Sequence, residues 1–363
     1  MIRPELKDTF LQLVRSGIGT LKNVKISNDI DWAAVKVLAD TQGLTAIVLD
    51  GLNEVLKAKS PISNLNPQIK LSWIGEVMQN YEVRYQEYEK AISSLAGFYN
   101  QYGFKMMVLK GYACSLDWPN PKHRPCGDID IWQFGKQKEA DRLITRELVI
   151  KIDTSEQHHT VFNWKGFMIE NHYDVIDVHH RRSSAKLERL FKKLAEDDTN
   201  MVKILEEDVY IPSVNLHALF LVYHTMLHFT STEMSIRQIL DWAFFVKKHG
   251  REVDWAWLLG ILKEYHLVEF FNILNAICIN DLGFDSDIFP ETHFNPLLKE
   301  RILNDTICAE FTESEPTGII RRFFFRYRRW KSHEWKHRLC YDESMLSIFL
   351  SAMWSHLLKP KTI

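Results

Sequence analysis

The stretch Gly127-Asp128-Ile129-Asp130-Ile131 constrains the fold of this chain more than any other. Successive side chains of a strand point to opposite faces, so Asp128 and Asp130 share one face while Ile129 and Ile131 anchor the other face in a core. Two carboxylates held that close repel each other unless a cation lies between them, and divalent metals prefer oxygen ligands. The stretch therefore predicts a buried strand that carries a metal site.

Further strand patterns lie on both sides of this stretch, at residues 104–109, 160–164, 167–170 and 175–179. Lys165-Gly166 is typical of a hairpin turn between the second and third of them. Asp177 shares a face with His179 on the last, which predicts a third carboxylate beside the first two. Asp174 is the rival for this position, but its parity on the strand is opposite to that of Asp177.

Helical periodicity dominates the rest of the chain. Short helices are predicted before residue 70, a long amphipathic helix runs from Met78 to Tyr102, and helices follow one another from residue 212 to the end. We therefore expect an α+β fold in which a small mixed β-sheet core is flanked by two helical parts. The predicted boundaries are 1–70 for the N-terminal helical segment, 71–211 for the catalytic core and 212–363 for the C-terminal helical domain.

Composition excludes several classes of protein. With a formal net charge of −2, bulk charge offers no argument for binding nucleic acid or a membrane. The five cysteines are widely spaced without a CxxC pair, so neither a disulfide framework nor a zinc knuckle is indicated. The N-terminus lacks the apolar region of a secretory signal, and no apolar run is long enough to span a bilayer. We expect a soluble, cytoplasmic protein.

The residues before the Asp-x-Asp strand suit phosphate chemistry. Gly111 permits close approach of the backbone to a phosphate, and Lys110 adds a positive charge. Arg124 suits a contact with a phosphate and a pairing with an aspartate equally well. Together with three carboxylates for Mg²⁺, these parts match the transfer of a nucleotidyl group.

These motifs resemble those of a known superfamily. Leu109-Lys110-Gly111, Arg124, Gly127 to Ile131 and Ile176-Asp177-Val178-His179 resemble the polymerase-beta-type nucleotidyltransferase superfamily. The match is best to its bacterial family of uncharacterised nucleotidyltransferases, in which the third acidic residue precedes a histidine. The resemblance covers roughly residues 30 to 250.

The resemblance implies a role for each matching residue. Asp128, Asp130 and Asp177 would be the catalytic carboxylates and would bind Mg²⁺ (or Mn²⁺), while Lys110, Gly111 and Arg124 would hold a nucleoside triphosphate such as ATP. The acceptor is not specified, and a small molecule or a protein is favoured over nucleic acid.

Some alternatives stay open. The superfamily's usual Gly-Ser or Gly-Gly turn is Gly111-Tyr112 here, which removes a phosphate-binding hydroxyl unless Ser115 replaces it. This departure favours a module that binds a nucleotide or a partner without turnover, and an antitoxin-like transferase that modifies a protein is a further hypothesis. The basic and aromatic run 321–331 suits a packed helix with a solvated basic face better than a surface for RNA or another acidic partner.

Overall fold

A computed structural model describes residues 3–26, 29–58, 65–155, 158–176, 182–197, 199–231 and 233–342. Its α-helices are α1 (Pro4–Gly17), α2 (Trp32–Thr41), α3 (Thr45–Lys57), α4 (Pro67–Val77), α5 (Arg84–Gln101), α6 (Tyr112–Ser115), α7 (Gln137–Leu148), α8 (Arg182–Asp197), α9 (Val214–Ser231), α10 (Ile236–His249), α11 (Trp255–Glu264), α12 (Val268–Asn280), α13 (Pro296–Ile307), α14 (Ile319–Ser332) and α15 (Glu334–Cys340). Its strands are β1 (Met107–Val108), β2 (Ile129–Trp132), β3 (His159–Trp164), β4 (Phe167–His172), β5 (Thr199–Ile204) and β6 (Glu207–Pro212).

The chain forms two compact units. Unit 1 combines Met1–Met78 with Ala218–Asp342, and unit 2 contains Gln79–His217. Helices from both ends of the chain therefore belong to the same unit, whereas the sheet lies in the other. The three-part division predicted at 1–70, 71–211 and 212–363 stays a prediction. The helix predicted at 343–357 lies outside the described residues.

Unit 1 is helical, and some of its helices begin at polar side chains that satisfy their first backbone amides. Asp31 accepts a backbone amide at the start of α2, and Ser235 with Gln238 forms a capping box at the start of α10. Contacts distant in sequence join the two parts of the unit, as where the Lys7 ammonium lies 2.8 Å from the Glu300 carboxylate. Local capping signals thus set helix ends, and distant contacts assemble the unit.

Unit 2 contains a sheet of six strands, counted over the described residues, in the order β3-β4-β2-β1-β6-β5. The sheet is mixed because β2 runs parallel to β4 and β1 runs parallel to β6, while the other pairs are antiparallel. The expected fold class, a small mixed sheet flanked by helical segments, is confirmed.

Individual strands differ from the sequence prediction. The hairpin at Lys165-Gly166 is confirmed, with both residues at positive φ. The strand predicted at 104–109 is reduced to β1, although Met106 and Leu109 on either side still form backbone hydrogen bonds with Tyr210 and Asp130. Val175 and Ile176 are not in a strand, so the strand predicted at 175–179 is wrong in its described part. The hairpin of β5 and β6 was not predicted.

The core of unit 2 lies between the sheet and α5. The predicted apolar stripe from Met78 to Tyr102 is confirmed in its central part, where Tyr85, Tyr88, Ile92, Leu95 and Tyr99 are all buried, whereas Met78 and Tyr102 at its two ends are exposed. They pack with Ile129, Ile131, Ile169 and Val209 of the sheet and with Ala140, Leu143 and Ile144 of α7. Burial of each large apolar side chain contributes roughly 1.5–3 kcal/mol. This packing fixes one face of β2 and leaves its acidic face for chemistry.

Three other expectations concern surfaces and cysteines. In α14, Phe325 is buried, whereas Phe323, Phe324 and Tyr327 are exposed. The basic and aromatic run is therefore a helix packed on one side and solvated on the other. Among the described residues, no helix is long and apolar enough to cross a membrane. No disulfide joins the five cysteines, all of which lie in the described part of the chain.

Candidate active site

The carboxylate of Asp130 lies in the interior of unit 2 beside a lysine. Its side chain is only 2% exposed, and the Lys110 Nζ lies 2.6 Å from its Oδ1. Asp128, half-buried, lies immediately before β2 and two residues from Asp130. The structure thus brings together three of the residues that the sequence predicted, while Ile129 and Ile131 are fully buried in the core.

A carboxylate that the sequence analysis missed lies next to Asp130. Strands β2 and β4 are parallel, and their register places Asp130 opposite Glu170. His172, two residues further along β4, has its Nε2 2.9 Å from the Asp130 Oδ1 and 3.5 Å from the Glu170 Oε2. Glu170 is therefore the third acidic side chain of the site in the described part of the chain.

The ionisable groups of this site alter one another's pKa values. Burial raises the pKa of Asp128, and the neighbouring Asp130 carboxylate raises it further. Burial also favours protonation of Asp130, but the charges and hydrogen bonds of Lys110 and His172 lower its pKa well below its usual range. The pKa of His172 is raised to about 9, because its bonds to Asp130 and Glu170 outweigh the effect of burial.

Opposing effects also determine the pKa values of the other two ionisable groups, Glu170 and Lys110. Burial acts to raise the pKa of Glu170, but the neighbouring His172 ring, whose Nε2 lies 3.5 Å from the Glu170 Oε2, produces a net lowering. Burial acts to lower the pKa of Lys110, but the Asp130 carboxylate produces a net rise. The site therefore concentrates negative charge in a poorly solvated place, which is the environment that attracts a divalent cation.

The turn after β1 requires glycine. Gly111 has φ +56°, a conformation that strains other residues, and a Cβ there would collide with the Tyr88 hydroxyl. That hydroxyl donates a hydrogen bond to the backbone carbonyl of Asp128 at 2.8 Å. Gly111 therefore lets α5, the turn and the start of β2 approach one another closely.

The residues that follow Gly111 point back into the core. The Tyr112 hydroxyl donates to Glu89 at 3.2 Å, and its ring stacks on Tyr85 with centroids 5.9 Å apart. The Ser115 hydroxyl bonds to the Tyr112 carbonyl at 2.7 Å and to the Tyr85 hydroxyl at 2.8 Å. Both hydroxyls are thus engaged within unit 2.

Arg124 is buried on the segment that leads into β2. Its Nη1 donates to the Pro125 carbonyl at 3.4 Å. Burial raises the pKa of the nearby Cys126 thiol to about 12, against the positive charges of Arg124 and Arg84. The predicted contact of Arg124 with a phosphate stays a prediction.

The predicted third carboxylate, Asp177, lies outside the described residues. The chain just before it is fixed by Glu188 of α8, whose two carboxylate oxygens accept the backbone amides of Val175 and Ile176 at 2.9 Å each. Burial raises the pKa of Glu188 in spite of these bonds. A buried carboxylate thus anchors the segment that leads to Asp177.

The rival carboxylate, Asp174, is engaged with α8. The Lys192 Nζ lies 2.6 Å from Asp174 and 3.3 Å from Glu188. Asp174 therefore ties the end of β4 to α8.

The opposite face of β4 is fixed by a polar network. Asp141 of α7 accepts hydrogen bonds from the Asn171 amide at 2.8 Å, the Thr160 hydroxyl at 2.9 Å and the Tyr173 hydroxyl at 3.1 Å. Asn171 lies between Glu170 and His172, so its bond to Asp141 helps to hold those two side chains on the site face.

A signal for Glu170 was present in the sequence. The spacing of an acid, one residue and a histidine that is seen in Asp177-Val178-His179 also occurs in Glu170-Asn171-His172, as it does at three other places in the chain. Glu170 ends a predicted strand and shares a face with His172. The deciding information was the pairing of β4 with β2, which the sequence alone does not contain.

The mixed sheet, the Asp-x-Asp strand with an adjacent acid and the Lys-Gly turn define a nucleotidyltransferase-like protein. Residues 28–279 match a family described as uncharacterised nucleotidyltransferases, and the chain belongs to that family. No curated protein matches. Among solved structures, the chain is similar to an antigenic nucleotidyltransferase-like protein from Paracoccidioides brasiliensis, with 12% identity and a TM-score of 0.34 over 45% of this chain and 76% of that chain.

Proposed function

We propose that the protein transfers a nucleoside monophosphate from a nucleoside triphosphate to an acceptor, with release of pyrophosphate, in a metal-dependent reaction. Its family supports the reaction class. The observation that carries the proposal is the register of β2 and β4, which places Glu170 opposite Asp130 next to Lys110. The Asp-x-Asp strand and the glycine turn also support placement in the polymerase-beta-type superfamily, in its bacterial branch.

The donor atoms fit a hard divalent cation. Asp128, Asp130 and Glu170 offer carboxylate oxygens from adjacent strands, the ligand type that Mg²⁺ and Mn²⁺ prefer. A metal bound there would neutralise charge on the triphosphate during transfer. Asp177 stays the carboxylate predicted from the sequence, and Glu170 takes the corresponding role among the described residues.

The protein's own groups supply positioning and proton transfer. Lys110 places a positive charge beside the Gly111 turn, where it attracts the triphosphate. Glu170 lies next to Asp130, and its lowered pKa keeps the carboxylate ionised, so it can accept a hydrogen bond from an acceptor hydroxyl and take up its proton during transfer. The polar network behind β4 keeps Glu170 oriented.

The first test replaces single carboxylates. Each radiolabelled triphosphate is incubated with the protein, Mg²⁺ or Mn²⁺ and cell lysate, and the labelled acceptor is identified by mass spectrometry. Asp130→Asn and Asp128→Asn should each reduce transfer by at least about 100-fold, the scale for loss of one preorganised electrostatic group.

Asp208→Asn is the matched control, because that carboxylate is 51% exposed on β6 and its loss should leave transfer unchanged. Circular dichroism checks that each variant is folded. Full transfer by Asp130→Asn would disprove the proposal.

The engaged hydroxyls of Tyr112 and Ser115 favour a second candidate, binding of a nucleotide without turnover. Calorimetry separates the two functions. Mg²⁺-dependent binding of a triphosphate, with no pyrophosphate formed against any acceptor in the lysate, would support binding alone. Label that appears on a partner protein would instead identify a protein-modifying transferase.

A further inference from the structure

Three histidines lie together at the β3 side of Glu170. His159 of β3 is directly opposite His172 of β4, and His158 immediately precedes β3. The ring centroids are 4.3 Å apart for His158 and His159, 5.3 Å for His159 and His172, and 5.9 Å for His158 and His172. One ring nitrogen from each of the three lies within 4.8 Å of the others.

The backbone holds this group in place. The carbonyl of His158 accepts the amides of Tyr173 at 2.8 Å and Asp174 at 3.3 Å, which extends the connection between β3 and β4 beyond the ladder. His159 is 8% exposed and His172 is 5% exposed. The imidazoles of His159 and His172 are therefore brought together by the sheet itself and are largely removed from solvent, while His158, just before β3, is half-buried.

Glu170 completes the group with oxygen ligands. Its Oε1 lies 3.8 Å from the His159 Nε2, and its Oε2 lies 3.5 Å from the His172 Nε2. These separations are long for hydrogen bonds. Zinc bonds of 2.0–2.2 Å in tetrahedral geometry separate neighbouring ligand atoms by about 3.4 Å. The spacing of Glu170 from His159 and His172 is thus close to that of groups that share one metal, whereas the three imidazole nitrogens, which lie within 4.8 Å of one another, would have to come closer together on binding.

We propose that His158, His159, His172 and Glu170 form a transition-metal site of the Zn²⁺ class. Three imidazole nitrogens and one carboxylate oxygen are a ligand set that suits Zn²⁺, Co²⁺ or Ni²⁺, whereas Mg²⁺ prefers oxygen alone. This site shares Glu170 with the carboxylate position of Asp128 and Asp130 but differs from it in its three nitrogen ligands, and it does not rest on the proposed transfer reaction.

Metal binding at this site would affect both the connection between β3 and β4 and the contacts of Asp130. A metal bound there links β3 to β4 at the residue that lies opposite Asp130. His172 now bonds to Asp130 through the same nitrogen, so ligation by His172 replaces that bond. Occupancy of the nitrogen-rich site would thus change the contacts of the carboxylate position.

Cobalt provides a direct test on the full-length wild-type protein. After treatment with a chelator, the protein is titrated with Co²⁺ and its visible absorption is recorded. We expect one equivalent to produce the intense bands of four-coordinate Co²⁺, which Zn²⁺ removes and excess Mg²⁺ does not. Weak six-coordinate absorption, or displacement of Co²⁺ by Mg²⁺, would overturn the proposal.

Variants then assign the ligands. His158→Ala and His159→Asn should each weaken Co²⁺ binding by more than about 100-fold, because loss of a direct ligand exceeds the 10- to 100-fold effect of outer-shell partners. His293→Ala is the control. The His293 side chain is 87% exposed, so this variant should bind Co²⁺ with the affinity of the wild type.

Asp128→Asn separates this proposal from the transfer reaction. That variant should retain the four-coordinate Co²⁺ spectrum although its transfer activity is lost. If the folded His158→Ala variant binds Co²⁺ with the affinity of the wild type, the histidines are not ligands, whatever the result of the transfer assay.

Discussion

Two buried lysine–aspartate pairs have the same geometry and different surroundings. In unit 2 the Lys110 Nζ lies 2.6 Å from Asp130, and in unit 1 the Lys336 Nζ lies 2.6 Å from Asp305. The aspartate side chains are 2% and 6% exposed, respectively. The distance and the burial of the aspartate therefore do not distinguish the two pairs, although the Lys110 side chain is 23% exposed and the Lys336 side chain only 1%.

The pair in unit 1 has partners for its charges. Asp305 also accepts the backbone amide of Glu310 at 2.9 Å, and the Glu310 carboxylate is itself paired with Arg301 at 2.8 Å. Lys336 lies over the Phe229 ring at 5.2 Å from its centroid. Such a pair has a structural role, because each charge is compensated within the fold.

The pair in unit 2 has an excess of acid. Asp128 and Glu170 flank Asp130, so three carboxylates share Lys110 and His172. A buried ion pair by itself is thus weak evidence for function, whereas a surplus of buried carboxylates points to a missing cation.

The largest expected effect concerns the balanced pair. Lys336→Met should lower the free energy of unfolding by about 3–5 kcal/mol, because it leaves Asp305 buried without its cation. Urea denaturation measures the change. The double variant Lys336→Met/Asp305→Leu should recover most of the loss, because an apolar pair replaces the charges.

Lys203→Met is the control for the single variant. Lys203 is 68% exposed on β5, so its loss should change the free energy of unfolding by less than about 0.5 kcal/mol. An equally small effect of Lys336→Met would show that the unit 1 pair is not a structural contact.

A second, smaller effect reports on the surroundings of the same pair. Burial and then the charges of Lys336 and Arg329 lower the pKa of His333 from 6.5 to about 4, against the Asp305 carboxylate. The folded protein then keeps His333 neutral where the unfolded chain binds a proton, so stability is full above pH 6.5 and falls towards pH 4.

Allowing for solvent screening, His333 should lower the free energy of unfolding by roughly 1 kcal/mol at pH 5.5 relative to pH 7.5. His333→Gln should remove this part of the pH dependence in urea titrations at the two pH values. An unchanged pH dependence in that variant would mean that His333 titrates normally in the folded state.

The smallest effect concerns the unbalanced pair and has the opposite sign. Asp128→Asn should raise the free energy of unfolding of the chelator-treated protein by about 0.5 kcal/mol, because it removes repulsion from Asp130. Added Mg²⁺ should stabilise the wild type and not this variant, as thermal denaturation would show. Destabilisation of the metal-free variant would mean that the carboxylates do not repel one another in the fold.

Features that depend on short-range periodicity were predictable from the sequence alone. The succession of helices predicted from residue 212 onward is observed as α9 to α15 in the described residues, the Lys165-Gly166 hairpin was identified, and the alternation around Asp128 and Asp130 predicted a strand. These features follow from residues within a few positions of one another, whose side chains alone specify helix period, turn type or strand face.

Contacts between residues that are distant in sequence were not predictable and emerge from the three-dimensional packing. Glu170 belongs beside Asp130 because β4 pairs in parallel with β2, and a shift of one residue would have turned it to the opposite face. The pairing of Lys336 with Asp305, and the balance that separates it from Lys110 with Asp130, likewise arises from helices far apart in sequence. Strand register and burial determine which charged side chains meet. Both depend on packing against residues distant in sequence, which no local pattern specifies.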